Sequence, residues 1–226
     1  MAKEQGIIIN HKPLKKLLKI WNLSHKRRIK SPSPSPLAQH IKDLGAQANL
    51  VAKLNQVPPF KVIFADFTEI TCMFGKIYLI IFSDKTSKRI TGWSVDFHKD
   101  TKNALRGYAM TKRYLKRMNV NLSTVIFHQD QDSVFTGYEY AGTLLNDGIS
   151  LSFTQQGFKD NPYMESCIGH FKDEYQDQIQ EARTIEEARK ITRRCINDWN
   201  QKRIHSALKG RSPDEFLHNF YKLKKS

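Results

Sequence analysis

Residues 161–172 read Asn161-Pro162-Tyr163-Met164-Glu165-Ser166-Cys167-Ile168-Gly169-His170-Phe171-Lys172, and this stretch has the form of a helix start. Asparagine caps helix N-termini through its side-chain oxygen, and Pro162 sits at the first helical position, where its missing N–H costs nothing. Glu165 follows about one turn in. Lys172, seven residues later, lies nearly under Glu165 on the same face, about 10 Å along the axis at 1.5 Å per residue. A carboxylate and a long cation so arranged can hold a metal ion and a phosphate side by side. The same pair alone is an ordinary solvated face, so the elements around it decide.

Upstream, Val62 to Ile70 is an apolar strand run with Asp66 inside it. Ile77 to Phe82 and Arg89 to Phe97 are two more, and the short turns between them, one at Gly75, predict an antiparallel meander. Residues 101–117 follow helical period, with Ala104, Tyr108, Thr111 and Leu115 on one face. Leu122 to Phe127 reads as a fourth strand, ending at His128-Gln129-Asp130. A short helix over 138–147 stops at Gly148, a C′ residue, and Ile149 to Phe153 is a fifth strand. A polar loop, 154–160, leads into the Glu165 helix. Capping boxes at Thr184-Ile185-Glu186-Glu187 and Ser212-Pro213-Asp214-Glu215 open two more helices. Three meander strands followed by crossover units predict an α/β fold with a mixed five-stranded sheet and helices on its faces.

Charge points the same way as these elements. The chain of 226 residues carries a formal net charge of +15. Nine Lys or Arg stand against one acid in residues 1–35, and seven against two in residues 199–226, so the middle is nearly neutral. Basic flanks around a neutral core suggest a polyanion partner, nucleic acid first. Residues 12–22 place Leu14, Leu17, Leu18 and Trp21 at helical spacing with lysines opposite. That helix suits DNA, an anionic membrane or a missing neighbour. Lys26, Arg27 and Arg28 follow as candidate phosphate contacts, and Ser31-Pro32-Ser33-Pro34-Ser35-Pro36 reads as an extended linker. No apolar run approaches the roughly 18 residues of a membrane span, and Met1 to Gly6 lacks a secretory layout. Three scattered cysteines, Cys72, Cys167 and Cys195, suggest a reducing compartment and no zinc module. The expected location is cytoplasmic and nucleoid-associated.

Asp66 lies in a strand buried on both faces, where a bare carboxylate is costly unless paired, protonated or on a metal. Asp130 lies just past another strand, and Glu165 lies on a nearby helix. Ligands of α/β folds gather at the carboxyl edge of the sheet. Two Asp and one Glu offer only oxygen donors, which suits magnesium or manganese and not zinc. Such sites carry out phosphoryl transfer with two ions. Asp84, Asp96 and Asp132 are comparable acids outside this set.

Over about Phe60 to Phe220 the chain resembles the integrase-core transposases of bacterial insertion sequences. This is the retroviral-integrase-like, DDE-type group usually read from two overlapping frames. The resemblance rests on Ala65-Asp66-Phe67-Thr68-Glu69, His128-Gln129-Asp130, the stretch from Asn161 to Ser166, and Lys172 seven after the glutamate. It extends to the tail, where Asn200, Arg203 and His205 match an Asn-x-x-Arg-x-His pattern, followed by Pro213. Asp130 and Glu165 have 34 residues between them, near the family spacing. The resemblance implies a ribonuclease-H-like fold with a basic helical N-terminal extension. It makes Asp66, Asp130 and Glu165 the catalytic triad and the ligands of two magnesium or manganese ions, and Lys172 a contact to the DNA end. Arg203 and His205 are further candidate DNA contacts, though the pair could equally cap the preceding helix. The expected organisation is a basic helical segment at 1–30, a partial DNA-binding region, then a linker and weak helix at 31–59. The catalytic core follows at 60–180 and a C-terminal helical extension at 181–226.

The function implied is cleavage of the element's DNA ends and strand transfer into target DNA. A homo-oligomer would hold a synaptic complex, with a helix-turn-helix partner from the upstream frame and no membrane. Two positions depart from the family pattern. Asp132 stands where the family has a glycine, and Gln129 where it has a serine. They motivate the alternative of a catalytically inactive DNA-binding regulator or degenerate copy. A third reading, a ribonuclease H or junction resolvase on the same scaffold, is disfavoured by Lys172 and the tail.

Overall fold

The structure, a computed structural model, describes residues 11–21, 23, 33–154 and 161–223. It divides into two units, Met1–Ser33 and Pro34–Ser226. In the first, α1 (His11–Ile20) is the expected amphipathic helix, with Leu14, Leu17, Ile20 and Trp21 exposed. Lys26, Arg27 and Arg28 lie outside the described residues.

The second unit begins within the Ser-Pro stretch. Ser35 ends the Ser-Pro stretch by capping α2 (Pro36–Leu44): its hydroxyl accepts the Ala38 N–H and donates to the Thr136 carbonyl at 2.7 Å. Ile41, Ala48 and Val51 are buried in the core clusters. Segment 31–59, expected as linker and weak helix, therefore contributes apolar side chains to the core from α2 onward.

The sheet has strand order β3-β2-β1-β4-β5. Strands β1 (Val62–Cys72), β2 (Gly75–Asp84) and β3 (Ile90–Asp96) pair antiparallel, while β4 (Ile126–Gln129) pairs parallel with β1 and β5 (Ser150–Phe153) parallel with β4. The fourth strand is shorter than expected. Asn121 Oδ1 accepts the Ser123 N–H, drawing 122–124 into a 3₁₀ turn before β4 begins.

Alternation along β1 sends side chains to two layers. Ile63, Ala65 and Phe67 join a cluster with Ala104, Tyr108 and Leu115 of α3 (Thr101–Arg117) and Tyr140 and Leu144 of α4 (Tyr138–Asn146). Val62, Phe64 and Ile70 join Met164, Phe171 and Tyr175 of α5 (Pro162–Gln180) and Ile196 and Trp199 of α6 (Ile185–Gln201). Helices cover both faces, which is why the central strands read as nearly continuous apolar runs. Three caps act as the sequence predicts: Asn161 accepts from Met164, Thr184 from Glu187, and Ser212 from Glu215 at the start of α7 (Pro213–Leu223); Asp100 caps α3 in the same way, accepting from Asn103.

Candidate active site

The register of β1 and β4 builds the site. Phe64 lies opposite His128 in the parallel pair, so Asp66, two residues on, is level with Asp130, one residue beyond the end of β4 at Gln129. Neighbouring strands run about 4.8 Å apart, which sets the two aspartates side by side at the carboxyl edge of β4. Asp66 shares the face of Val62 and Phe64, the face covered by α5. That helix start is anchored nearby: Tyr163 stacks on Phe64 with ring centroids 4.5 Å apart, and its hydroxyl donates to the Asp84 carbonyl at 2.6 Å.

The two aspartates are half-buried and repel each other. Burial first, then the charge of Asp130, push the Asp66 carboxyl up to about 7. The Phe67 N–H and Lys99 pull it down, and Asp132 adds to the rise. Asp130 is also raised, mainly by burial and then by Asp132. The Asp132 N–H, which donates to Asp130 Oδ1 at 3.0 Å, and Lys99 oppose the rise. Glu165 is exposed near the N-terminus of α5, just after segment 155–160, which lies outside the described residues. Among the described residues no three His, Cys, Asp or Glu side chains are gathered closely enough to enclose a metal ion. The structure thus brings Asp66 and Asp130 close enough for their charges to interact, and it carries Glu165 on the first turn of α5. An all-oxygen pair whose half-buried charges repel fits a hard divalent cation, which would relieve the repulsion.

Lys172 is half-buried on α5. Its charge reaches Glu69 on β1, whose carboxyl is held low first by hydrogen bonds from Lys76 and Tyr78 and then by the charges of Lys76 and Lys172. Arg203 and His205 turn inward. Arg203 Nε lies 2.7 and 2.9 Å from the two Glu174 oxygens, its guanidinium lies 4.4 Å over the Trp199 ring, and Nη1 is 2.9 Å from His205 Nδ1. Both residues line a cavity of about 430 Å³ with Lys88, Tyr163 and His170. By helical periodicity, Tyr163 and His170 lie on the opposite flank of α5 from Glu165 and Lys172.

Sequence reasoning missed Lys99, which lies between β3 and α3. Its ammonium is 2.7 Å from Asp132 Oδ2. Burial lowers its pKa, but Asp132, Asp130 and Asp66 together outweigh that and raise it. An acid beside two half-buried aspartates calls for a cation, yet nothing in the spacing says which lysine supplies it. Gln129 is buried, with its Oε1 accepting from the Tyr140 hydroxyl at 3.1 Å. Asp84 is fully buried and accepts the Phe60 N–H, the Ser87 N–H and the Ser87 hydroxyl, and Asp96 pairs with Arg106. His128 is buried against Ser152, and all three cysteines are buried and free. No described helix is long and apolar enough to cross a membrane.

Two family profiles described as Integrase core domain match residues 57–158 and 147–213. A transposase for insertion sequence element IS904 from Lactococcus lactis is 29% identical over 217 residues, covering 93% of this chain and 81% of that protein. A relative from Mycobacterium tuberculosis, assigned to insertion sequence element IS986/IS6110, is 26% identical over 165 residues. That match covers 72% of this chain and 59% of the relative's length. Among solved structures, the HTLV-2 integrase catalytic core domain in complex with magnesium superposes with a TM-score of 0.54 at 14% identity, covering 73% of this chain and 99% of that one. The BIV integrase catalytic core gives 0.53 at 16% identity, covering 74% of this chain and 99% of that one. These likenesses establish the ribonuclease-H-like integrase fold for the mixed sheet.

Proposed function

The chain belongs to the integrase-core transposases of bacterial insertion sequences, and from that premise we propose that it cleaves the ends of its element and joins them to target DNA. The observation that carries this reading is the parallel register that sets Asp66 level with Asp130 on the sheet face covered by α5. In the first step a water oxygen attacks the phosphorus at the element's end, and the bond to the 3′-oxygen breaks, freeing a 3′-hydroxyl. In the second step that hydroxyl attacks a target phosphodiester in line, and the target's own 3′-oxygen leaves. No covalent intermediate with the protein is required, because positioning and charge do the work.

Asp66, Asp130 and Glu165 are the proposed ligands of magnesium or manganese. Two such ions would lower the pKa of the attacking hydroxyl and neutralise the leaving oxygen. Lys172, on the Glu165 face of α5, is the proposed contact to a phosphate of the DNA end. Lys26, Arg27 and Arg28 are proposed to bind phosphates without reading sequence. Arg203 and His205 hold the tail against α5, and any DNA contact by them would have to compete with Glu174. Joining two ends calls for a second copy of the chain in a synaptic complex, and a helix-turn-helix partner from the upstream frame is the proposed reader of the element's ends. A DNA substrate makes the bacterial nucleoid the proposed location. The chain spans 59% of the length of the mycobacterial relative, so these whole-protein activities are part of the proposal.

Nicking of supercoiled plasmid in manganese tests it. Wild type is expected to nick, while Asp66→Asn and Glu165→Gln are expected to lose nicking and still bind DNA. Nicking retained in both variants would reject the assignment.

A further inference from the structure

Asp132 occupies the position where the resemblance places a glycine, and every part of it is engaged. Its Oδ2 is 2.7 Å from Lys99 Nζ, its Oδ1 accepts the Val134 N–H at 2.9 Å, and its N–H donates to Asp130 Oδ1 at 3.0 Å. Its carbonyl accepts the N–H groups of Phe135 and Thr136 and the Thr136 hydroxyl. Lys99 comes from a different loop, one residue before the Asp100 cap of α3, and its ammonium also lies 5.6 Å from the ring of Phe67, the neighbour of Asp66.

From this geometry we propose that Lys99 and Asp132 form a neutral pair that positions Asp130 and keeps the electrostatic balance of the cation site. Resting on the reading of Asp66 and Asp130 as cation ligands, the proposal makes Lys99 a positioning residue and Asp132 its counter-charge. An unpaired carboxylate at 132 would be a further acid beside Asp66 and Asp130. An unpaired ammonium at 99 would stand where a divalent cation must approach. Together their charges cancel, and the two aspartates meet the cation much as they would beside a glycine. The carboxylate at 132, which reads as a departure that weakens the site, is on this view compensated by a lysine 33 positions earlier in the chain.

The proposal predicts effects of opposite sign, which a purely structural role would not produce. Manganese affinity of the full chain is measured by titration calorimetry without DNA, alongside thermal unfolding. Lys99→Met, which keeps an apolar stem against Phe67, leaves Asp132 unopposed and is expected to tighten manganese binding by about fivefold or more. Asp132→Ser, which keeps an oxygen for the Val134 N–H, leaves Lys99 unopposed and is expected to weaken it by a similar factor. The double variant is expected to return to within about twofold of wild type, and Lys99→Arg to match wild type. If both single variants shift affinity in the same direction, or neither shifts it, the pair has no such role. A Lys99→Met variant that only loses DNA affinity, with no rescue by Asp132→Ser, would likewise overturn the proposal and make Lys99 a phosphate contact. Asp66→Asn separates the two levels. If manganese binding survives it unchanged, the cation-site reading falls and the pair's role with it. If binding is lost there while Lys99→Met and Asp132→Ser shift affinity in the same direction or not at all, only the pair is rejected.

Discussion

Asn200 sets its side-chain amide against the backbone of Ile90, accepting the Ile90 N–H at 2.9 Å and donating to the Ile90 carbonyl at 2.9 Å. Ile90 opens β3, one of the two edge strands of the sheet. The amide therefore satisfies both backbone groups there as a neighbouring strand would. The adjacent Trp199 donates its indole N–H to the Lys88 carbonyl at 3.0 Å. The asparagine of the tail motif thus docks α6 onto the sheet.

Asn200→Ala removes both partners of Ile90 within a buried contact. Each orphaned group costs about 1–3 kcal/mol, so a loss of roughly 2–4 kcal/mol is expected. Urea unfolding followed by tryptophan fluorescence measures it. A midpoint unchanged from wild type would mean that water replaces the amide and that the contact is incidental.

A second prediction concerns the approach of α3 to β3. A Cβ built on Gly92 would lie 2.2 Å from Thr111 Oγ1 and 2.4 Å from the Gly107 carbonyl oxygen. That oxygen belongs to the helix backbone and cannot swing aside. Gly92→Ala is expected to cost roughly 3 kcal/mol by overpacking. Gly142→Ala in α4, where nothing lies within 4 Å of the new methyl, is expected to be neutral or to stabilise by up to about 1 kcal/mol. Equal effects from the two substitutions would contradict the close packing.

These cases show which parts of the molecule were legible in sequence. Local rules found the elements, because caps such as Asn161 and Thr184 and a stripe such as Ala104, Tyr108, Thr111 and Leu115 are written within a few residues of each other. The pairing of Asp66 with Asp130 was legible because strand ends in α/β folds converge. The Lys99–Asp132 pair was not, since it joins two loops and several lysines could serve. The burial of Ile41 and Ala48 was hidden by the Ser-Pro stretch before them, whose last serine turned out to be a cap. Arg203 looked like a DNA contact because an arginine in a basic tail suits that role, and only its distance to Glu174 shows it engaged within the protein.

That engagement gives a third prediction. If Arg203 mainly ties the tail to α5, Arg203→Ala and Glu174→Ala should each lower stability by about 1 kcal/mol, because the pair is partly exposed and screened. The double variant should then cost little more than either single one. Salt-dependent DNA binding, measured by fluorescence anisotropy, should change little in Glu174→Ala. A large loss of DNA affinity in Arg203→Ala, with unchanged stability, would restore the phosphate-contact role.

The last prediction is a pH dependence. His205 is pushed from the ordinary 6.5 down to about 4, first by burial and then by the charges of Arg203, Lys88 and His170. The ring lies edge-on to Trp199 with centroids 5.0 Å apart, so the folded protein holds it neutral. The unfolded chain takes up the proton first as pH falls. The contribution of His205 to stability is therefore fully present above about pH 6.5 and is lost progressively as pH falls toward about 4. Comparing urea midpoints at about pH 7.5 and about pH 5 isolates this residue when wild type is set beside His205→Gln, whose amide can still accept from Arg203. Wild type is expected to lose more stability than the variant between the two conditions, since the other titrating groups are common to both. Parallel losses would mean that His205 takes up its proton in the folded state as readily as in the unfolded chain, and that the cations lining the cavity do not hold it neutral.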